Sequence, residues 1–272
     1  MPPLRGLVEG GFDVPLVVSG ADRRRGRGSA TSPSPVKAAA LELGLPVTER
    51  VDDVLGVAAD LGVVVAYGRL IRPHVLAEVP MVNLHFSLLP RWRGAAPVER
   101  ALLAGDDETG VCLMQLEEGL DTGPVYGCER TAIGLEETLD ELRGRLVQVG
   151  TDLLLRSLRE GLGEPMPQEG EVTYAAKLEP SELRLDWTRP AVGLHRVVRL
   201  GRAWTTFRDG RLRVLRARVA DGDGRPGELR GTTVAAGEGA LELVEVQPEG
   251  RRPMPAPAWL AGARPQPGER LA

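Results

Sequence analysis

Cysteine is scarce in this chain of 272 residues: Cys112 and Cys128 are the only two. They are too few for a disulfide framework at this length and have no neighbours at metal-ligand spacing, so both are expected as reduced, buried thiols. Long apolar runs are missing too. The longest, Val63 to Tyr67, falls far short of the ~18 residues of a membrane span. Met1 to Gly10 lacks the basic-then-apolar layout of a secretory signal, and the expectation is a cytoplasmic protein. Lysine is nearly absent, with only Lys37 and Lys177. The chain evidently prefers Arg, so the Arg total is no sign of nucleic-acid binding and only clustering counts. A net charge of −4 argues against a protein that wraps nucleic acid over its whole surface. What is present, 42% hydrophobic and 26% charged residues, is enough to bury a core and excludes wholesale disorder. The length suits two modest domains.

Charge is unevenly spread. Residues 181–272 hold 16 Arg against 11 acids, whereas residues 1–180 hold 18 basic residues against 27 acids. From Phe12 to about Leu158, short apolar runs alternate with helical segments, the pattern of an α/β fold with a mostly parallel, Rossmann-like sheet. The strand candidates are Asp13 to Ser19, Gly62 to Ala66, Met81 to His85, Gly110 to Leu116 and Val125 to Ala132. Ser34 before Pro35 reads as an N-cap with proline in the first turn, opening a helix through Leu43. Leu135, Leu139, Leu142, Leu146, Val149 and Leu153 recur at spacings of four and three, the apolar stripe of a long helix packed on the sheet. A catalytic domain over 1–177, a linker over 178–200 and a small β-barrel (OB-like) domain over 201–272 follow from the later switch to period-2 alternation and Gly-rich turns.

The densest unusual segment is Asn83-Leu84-His85-Phe86-Ser87-Leu88-Leu89-Pro90-Arg91-Trp92-Arg93-Gly94-Ala95-Ala96-Pro97. It spans the end of a strand and the start of a loop, where open α/β sheets place their active sites. Asn83 and His85 are two apart on an extended segment, so an amide donor and a titratable imidazole can face one substrate atom. Asp121, in Glu118-Gly119-Leu120-Asp121-Thr122-Gly123, follows the next strand and could orient that imidazole. Singly, each has a plainer explanation: a turn cap, a structural histidine, a turn-forming aspartate.

Taken together, Asn83 to Pro97 and Gly119 to Gly123 resemble the formyltransferases that use 10-formyltetrahydrofolate, and among them the branch acting on methionyl-tRNA. Further segments similar to that branch are Ser32 to Lys37 after a basic loop, Ala66-Tyr67-Gly68, Ala203 to Phe207, Glu245 to Met254 and Gly262 to Arg264. The resemblance implies formyl transfer to the α-amine of initiator methionyl-tRNA by a monomer, with Asn83, His85 and Asp121 as the catalytic triad. Asp121 would hold His85 as an imidazolium. Ser87, Leu88, Leu89 and Pro90 would contact the folate co-substrate, and no metal or bound cofactor would be required. The loop from Asp22 to Lys37, with Arg23, Arg24, Arg25, Arg27 and Lys37 against Asp22 alone, would enter the tRNA acceptor end, Arg being suited to grasp phosphate. Residues 181–220, with ten Arg and three acids, would track the tRNA backbone.

Two departures stand out. The family's opening strand and its Gly-Thr-Pro loop have no counterpart, which leads to the expectation that translation starts upstream and that the first domain lacks a central strand. An Asn-Pro-Trp-Pro segment usual in the family is also missing at Arg199 to Trp204. Two rival readings remain: a formyltransferase with a sugar-nucleotide or other small amine acceptor, and a degenerate member that binds folate or RNA without catalysis.

Overall fold

The computed structural model describes residues 2–24 and 31–272; Arg25 and Arg27 of the basic loop lie outside them. The chain divides into two compact units. The first comprises Met1–Pro97, Glu108–Thr131 and Gly144–Ala175, the second Val98–Asp107, Ala132–Arg143 and Ala176–Ala272.

The first part of the chain runs α1 (Pro2–Glu9), β1 (Val17–Val18), β2 (Arg23–Arg24), β3 (Thr31–Ser32), α2 (Pro35–Glu42), β4 (Val47–Thr48), β5 (Gly62–Val65), α3 (Pro73–Glu78), β6 (Met81–His85), β7 (Arg93–Gly94), α4 (Pro97–Ala104), β8 (Glu108–Gln115), β9 (Val125–Ala132), α5 (Leu139–Glu160) and β10 (Tyr174–Ala175). Strands β5, β6, β8 and β9 make one sheet in that order, and β1 pairs with β4 in a separate two-stranded sheet. β5 and β6 are parallel but β6 and β8 antiparallel. Gln115 N–H donates to Pro124 across the β8–β9 turn at 2.9 Å, so that pair forms a hairpin. The sheet is therefore mixed where a mostly parallel one was expected, because apolar periodicity locates strands without giving their direction.

Local chemistry explains the elements that matter. Ser34 caps α2, its hydroxyl accepting the Lys37 N–H at 3.1 Å, with Pro35 in the first turn. β8 is buried on both faces, Val111, Cys112, Leu113 and Met114 being fully inaccessible, as a covered interior strand should be. α5 lies on this sheet where the Leu153 side chain approaches Gly127 of β9, and Leu146, Leu153 and Leu154 are buried, each contributing roughly 1.5–3 kcal/mol by burial. At Gly150 an added Cβ would lie 3.0 Å from the Val111 side chain, so a glycine lets helix and sheet approach. Leu135 precedes the helix and is exposed, and the stripe works only from Leu139 onward.

Cys112 and Cys128 are not free thiols: they form a disulfide between β8 and β9. Hairpin pairing brings them together, a proximity that a separation of 16 residues does not reveal. Cys112 is buried as expected, whereas Cys128 is exposed.

The second unit adds α6 (Ala191–Arg199), β11 (Trp204–Phe207), β12 (Gly210–Ala220), β13 (Leu229–Arg230), β14 (Thr233–Ala235), β15 (Ala240–Pro248), β16 (Met254–Pro255) and α7 (Ala256–Ala263). Its antiparallel sheet runs β11-β12-β15-β14-β13, with β16 on β15. The chain end ties the two sheet edges: Ala272 exchanges backbone hydrogen bonds with Thr206 on β11, Leu271 N–H donates to Gly227, and Leu229 on β13 donates to Glu269. Residues 178–200, expected as a linker, contain α6, whose Leu194, Val197 and Val198 sit in this unit's core beside Leu212, Val214 and Leu241.

Candidate active site

His85 ends β6 and is only 5% exposed. Its Nε2 lies 2.9 Å from the Trp92 carbonyl, which accepts its N–H, and its Nδ1 faces Asp121 Oδ2 at 3.6 Å. That same Oδ2 accepts the Gly94 N–H at 2.8 Å. Asp121 Oδ1 has no protein partner among the described residues. Asn83 is half-buried on the same face of β6, two residues back, and its amide makes no hydrogen bond among the described residues. The three predicted positions thus gather at one strand end, and the residue order explains how: β6 presents two of them and the β8–β9 turn returns the third.

The turn is built for this. Asp121 has φ of 51°, a left-handed conformation that costs a non-glycine residue free energy and is found at functional sites. Gly123 is required because an added Cβ would fall 2.0 Å from the Gln115 carbonyl oxygen. The loop after β6 is clamped as well. β7 pairs with β10 in parallel, and Trp92 N–H donates to the Thr173 hydroxyl at 2.8 Å.

Burial pushes the His85 imidazole below its usual range, against the opposing pull of Asp121 and then of the Trp92 carbonyl. Desolvation outweighs the carboxylate and favours the neutral ring, whereas the resemblance implies an imidazolium. A proton arriving on Nδ1 would nevertheless find acceptors on both sides of the ring, so the site favours a transient cation over a permanent one.

Ser87, fully buried, donates its hydroxyl to the Arg91 carbonyl at 2.5 Å. Leu88 and Leu89 are half-buried and Pro90 is buried, the Leu89–Pro90 peptide being cis. Of the basic loop, Arg23 and Arg24 form β2, paired with β3, while Lys37 is engaged by Asp22 at 2.8 Å and Glu49 at 3.2 Å. In the basic stretch 181–220 the Arg residues divide. Arg199 is buried and donates to the Glu137 and Gly134 carbonyls, and Arg208 pairs with Glu269. Arg184 and Arg211 instead lie over the Trp204 ring, at 5.7 and 4.2 Å from its centroid.

Residues beyond those expected from sequence also shape the site: Gln168, Thr173 and the backbone of Gly94. A glutamine in a Gly- and Pro-rich loop gives no pattern to detect.

The family model described as "Formyl transferase" matches residues 6–158, and "Formyl transferase, C-terminal domain" matches residues 177–264. The chain is similar to a methionyl-tRNA formyltransferase of Paracoccus denitrificans, at 48% identity over 280 residues covering 96% of this chain and 93% of the relative. Another, from Methylobacterium sp. (strain 4-46), is 46% identical over 302 residues, covering 100% of this chain and 96% of the relative. Among solved structures, an N-formyltransferase from Helicobacter canadensis with folinic acid and dTDP-3-aminofucose aligns with TM-score 0.70 at 14% identity, covering 89% of this chain and 94% of that one. HypX from Aquifex aeolicus with tetrahydrofolic acid aligns with TM-score 0.63 at 18% identity, covering 84% of this chain and 44% of that one. At those identities the two structures show a shared fold.

Proposed function

The chain belongs to the formyltransferase family, and from that premise we propose that Asn83, His85 and Asp121 carry out its chemistry. The chain transfers the formyl group of the co-substrate 10-formyltetrahydrofolate to the α-amine of initiator methionyl-tRNA. One observation carries the choice of acceptor: similarity to methionyl-tRNA formyltransferases extends over both units, up to 100% of the chain.

In the proposed mechanism the amine nitrogen attacks the formyl carbon and the carbonyl oxygen becomes an oxyanion. The unpartnered Asn83 amide donates to it, an interaction worth most when charge has developed. The ammonium that forms loses a proton to the His85–Asp121 pair, whose neutral resting ring can accept it on Nδ1 while Trp92 holds Nε2. Collapse of the tetrahedral intermediate breaks the bond from carbon to N10 of the folate, and the stored proton goes to N10. Free tetrahydrofolate and formyl-methionyl-tRNA leave, and the pair returns to its starting state.

Leu88 and Leu89 offer apolar surface to the folate ring, while Ser87 and Pro90 shape the loop that presents them. Arg23, Arg24, Arg25, Arg27 and Lys37 meet the tRNA acceptor end. The second unit closes as a small OB-like barrel, where Arg184, Trp204 and Arg211 combine charge with a stacking face for RNA. The working place is the cytoplasm and the working form a monomer. Incubation with 10-formyltetrahydrofolate and either charged initiator tRNA or an amino-sugar nucleotide tests the reading. Formyl-methionine after deacylation is the expected product, and formylation of the sugar alone would overturn it.

A further inference from the structure

Gln168 lies in the irregular segment before β10, anchored by reciprocal backbone hydrogen bonds between Met166 and Val125 at 2.7 and 2.8 Å. Its carboxamide is fully used. The Oε1 accepts from Arg93 Nε at 3.0 Å and Nη2 at 2.6 Å, and Nε2 donates to the carbonyls of Asp121 at 2.8 Å and Gly123 at 2.7 Å. Two lone pairs and two N–H groups are all that an amide side chain has.

These bonds close a ring around one residue. Arg93 precedes Gly94, whose N–H holds the Asp121 carboxylate. Gln168 holds the Asp121 backbone from the other side, and its own oxygen is fixed by Arg93. Asp121 is in a conformation that an isolated turn would avoid, with φ of 51°, and such a conformation persists only where surrounding structure over-determines it. We propose that Gln168 is a positioning residue for formyl transfer: bridging Arg93 to the carbonyls of Asp121 and Gly123, it fixes the turn so that the Asp121 carboxylate meets His85. The proposal rests on the reading that Asp121 serves the reaction. Gln168 acts through Asp121 and touches no reacting atom.

A tether that merely stabilises the loop would behave differently from a positioning device. Gln168→Met keeps the length of the side chain and removes every hydrogen bond. Gln168→Glu keeps an oxygen for Arg93 but turns a second oxygen, in place of N–H, toward two carbonyls. The test measures kcat, KM for methionyl-tRNA and melting temperature for the full chain, for both variants and for Asp121→Asn. Both Gln168 variants should lose about 10- to 100-fold in kcat, as expected for a catalytic group displaced by about 1 Å. KM should stay within about 2-fold, since binding shared by ground and transition states is untouched. Wild-type kcat in Gln168→Met beside an inactive Asp121→Asn overturns the clamp alone. Recovery of kcat in Gln168→Glu overturns it too, by showing that holding Arg93 suffices, as does a loss that merely follows the melting temperature. Wild-type kcat in Asp121→Asn overturns the reading of the site on which the clamp rests.

Discussion

Replacing Asp121 by Asn removes one charge while preserving the shape of the side chain, and the amide oxygen can still accept the Gly94 N–H that the carboxylate takes at 2.8 Å. Only the interaction with His85 should change. At the observed 3.6 Å, a carboxylate and an imidazolium attract by about 4 to 5 kcal/mol at an effective dielectric of ~20. Because burial keeps the resting ring neutral, that attraction is absent from the ground state and appears when His85 takes up the proton of the attacking amine. The loss therefore falls on the transition state, and at about 1.4 kcal/mol per decade kcat should drop by roughly 1,000-fold. Methionyl-tRNA affinity and melting temperature should barely move. Single-turnover formylation at saturating 10-formyltetrahydrofolate measures the step directly. A variant within about 10-fold of wild type would refute the reasoning, since removing a charge at that distance should cost far more.

Three further outcomes are expected. The acid limb of the kcat/KM profile, which reports the free enzyme, should lie below pH 6.5, the usual histidine value from which burial lowers His85. The folded state binds fewer protons there than the unfolded state, so stability should also fall as pH drops through 6.5; a limb above 6.5 would contradict the burial argument. Replacing Arg23, Arg24 and Arg25 by Ala should reduce the salt slope of log K for tRNA by roughly 0.7–0.9 for each phosphate left without its arginine, with folate affinity unchanged, and an unaltered slope would remove the loop from the interface. Without reductant, Cys128→Ser should lower unfolding stability by about 3 kcal/mol, the value for a closed loop of about 15 residues. Denaturant midpoints equal for variant and wild type would show that the cross-link contributes nothing.

Much of this was legible in the residues because local signals and tertiary structure agree. β6 and β9 occupy the predicted spans, and Ser34-Pro35 opens α2, since alternation and capping are local. Asn83 and His85 share a face because a strand's period is two. Strand direction was not legible, so the β6–β8 antiparallel pairing emerged only in three dimensions. Neither was the Cys112–Cys128 bridge, which depends on hairpin register. Sequence alone does not separate Arg199 and Arg208 from Arg184 and Arg211, although burial and a carboxylate partner commit the first two elsewhere. The direction in which burial shifts His85 is not legible either, because a sequence shows the charged neighbour and hides the desolvation.

The central claim is that Asn83, His85 and Asp121 act on the formyl group as it moves to the methionyl amine. Its most direct measurement is the single-turnover rate of Asn83→Ala with bound 10-formyltetrahydrofolate and methionyl-tRNA, set beside wild type. Loss of a donor that serves only the oxyanion should slow the chemical step by about 100- to 1,000-fold and leave the binding of both substrates intact. A wild-type rate, or a defect confined to binding, would contradict the account.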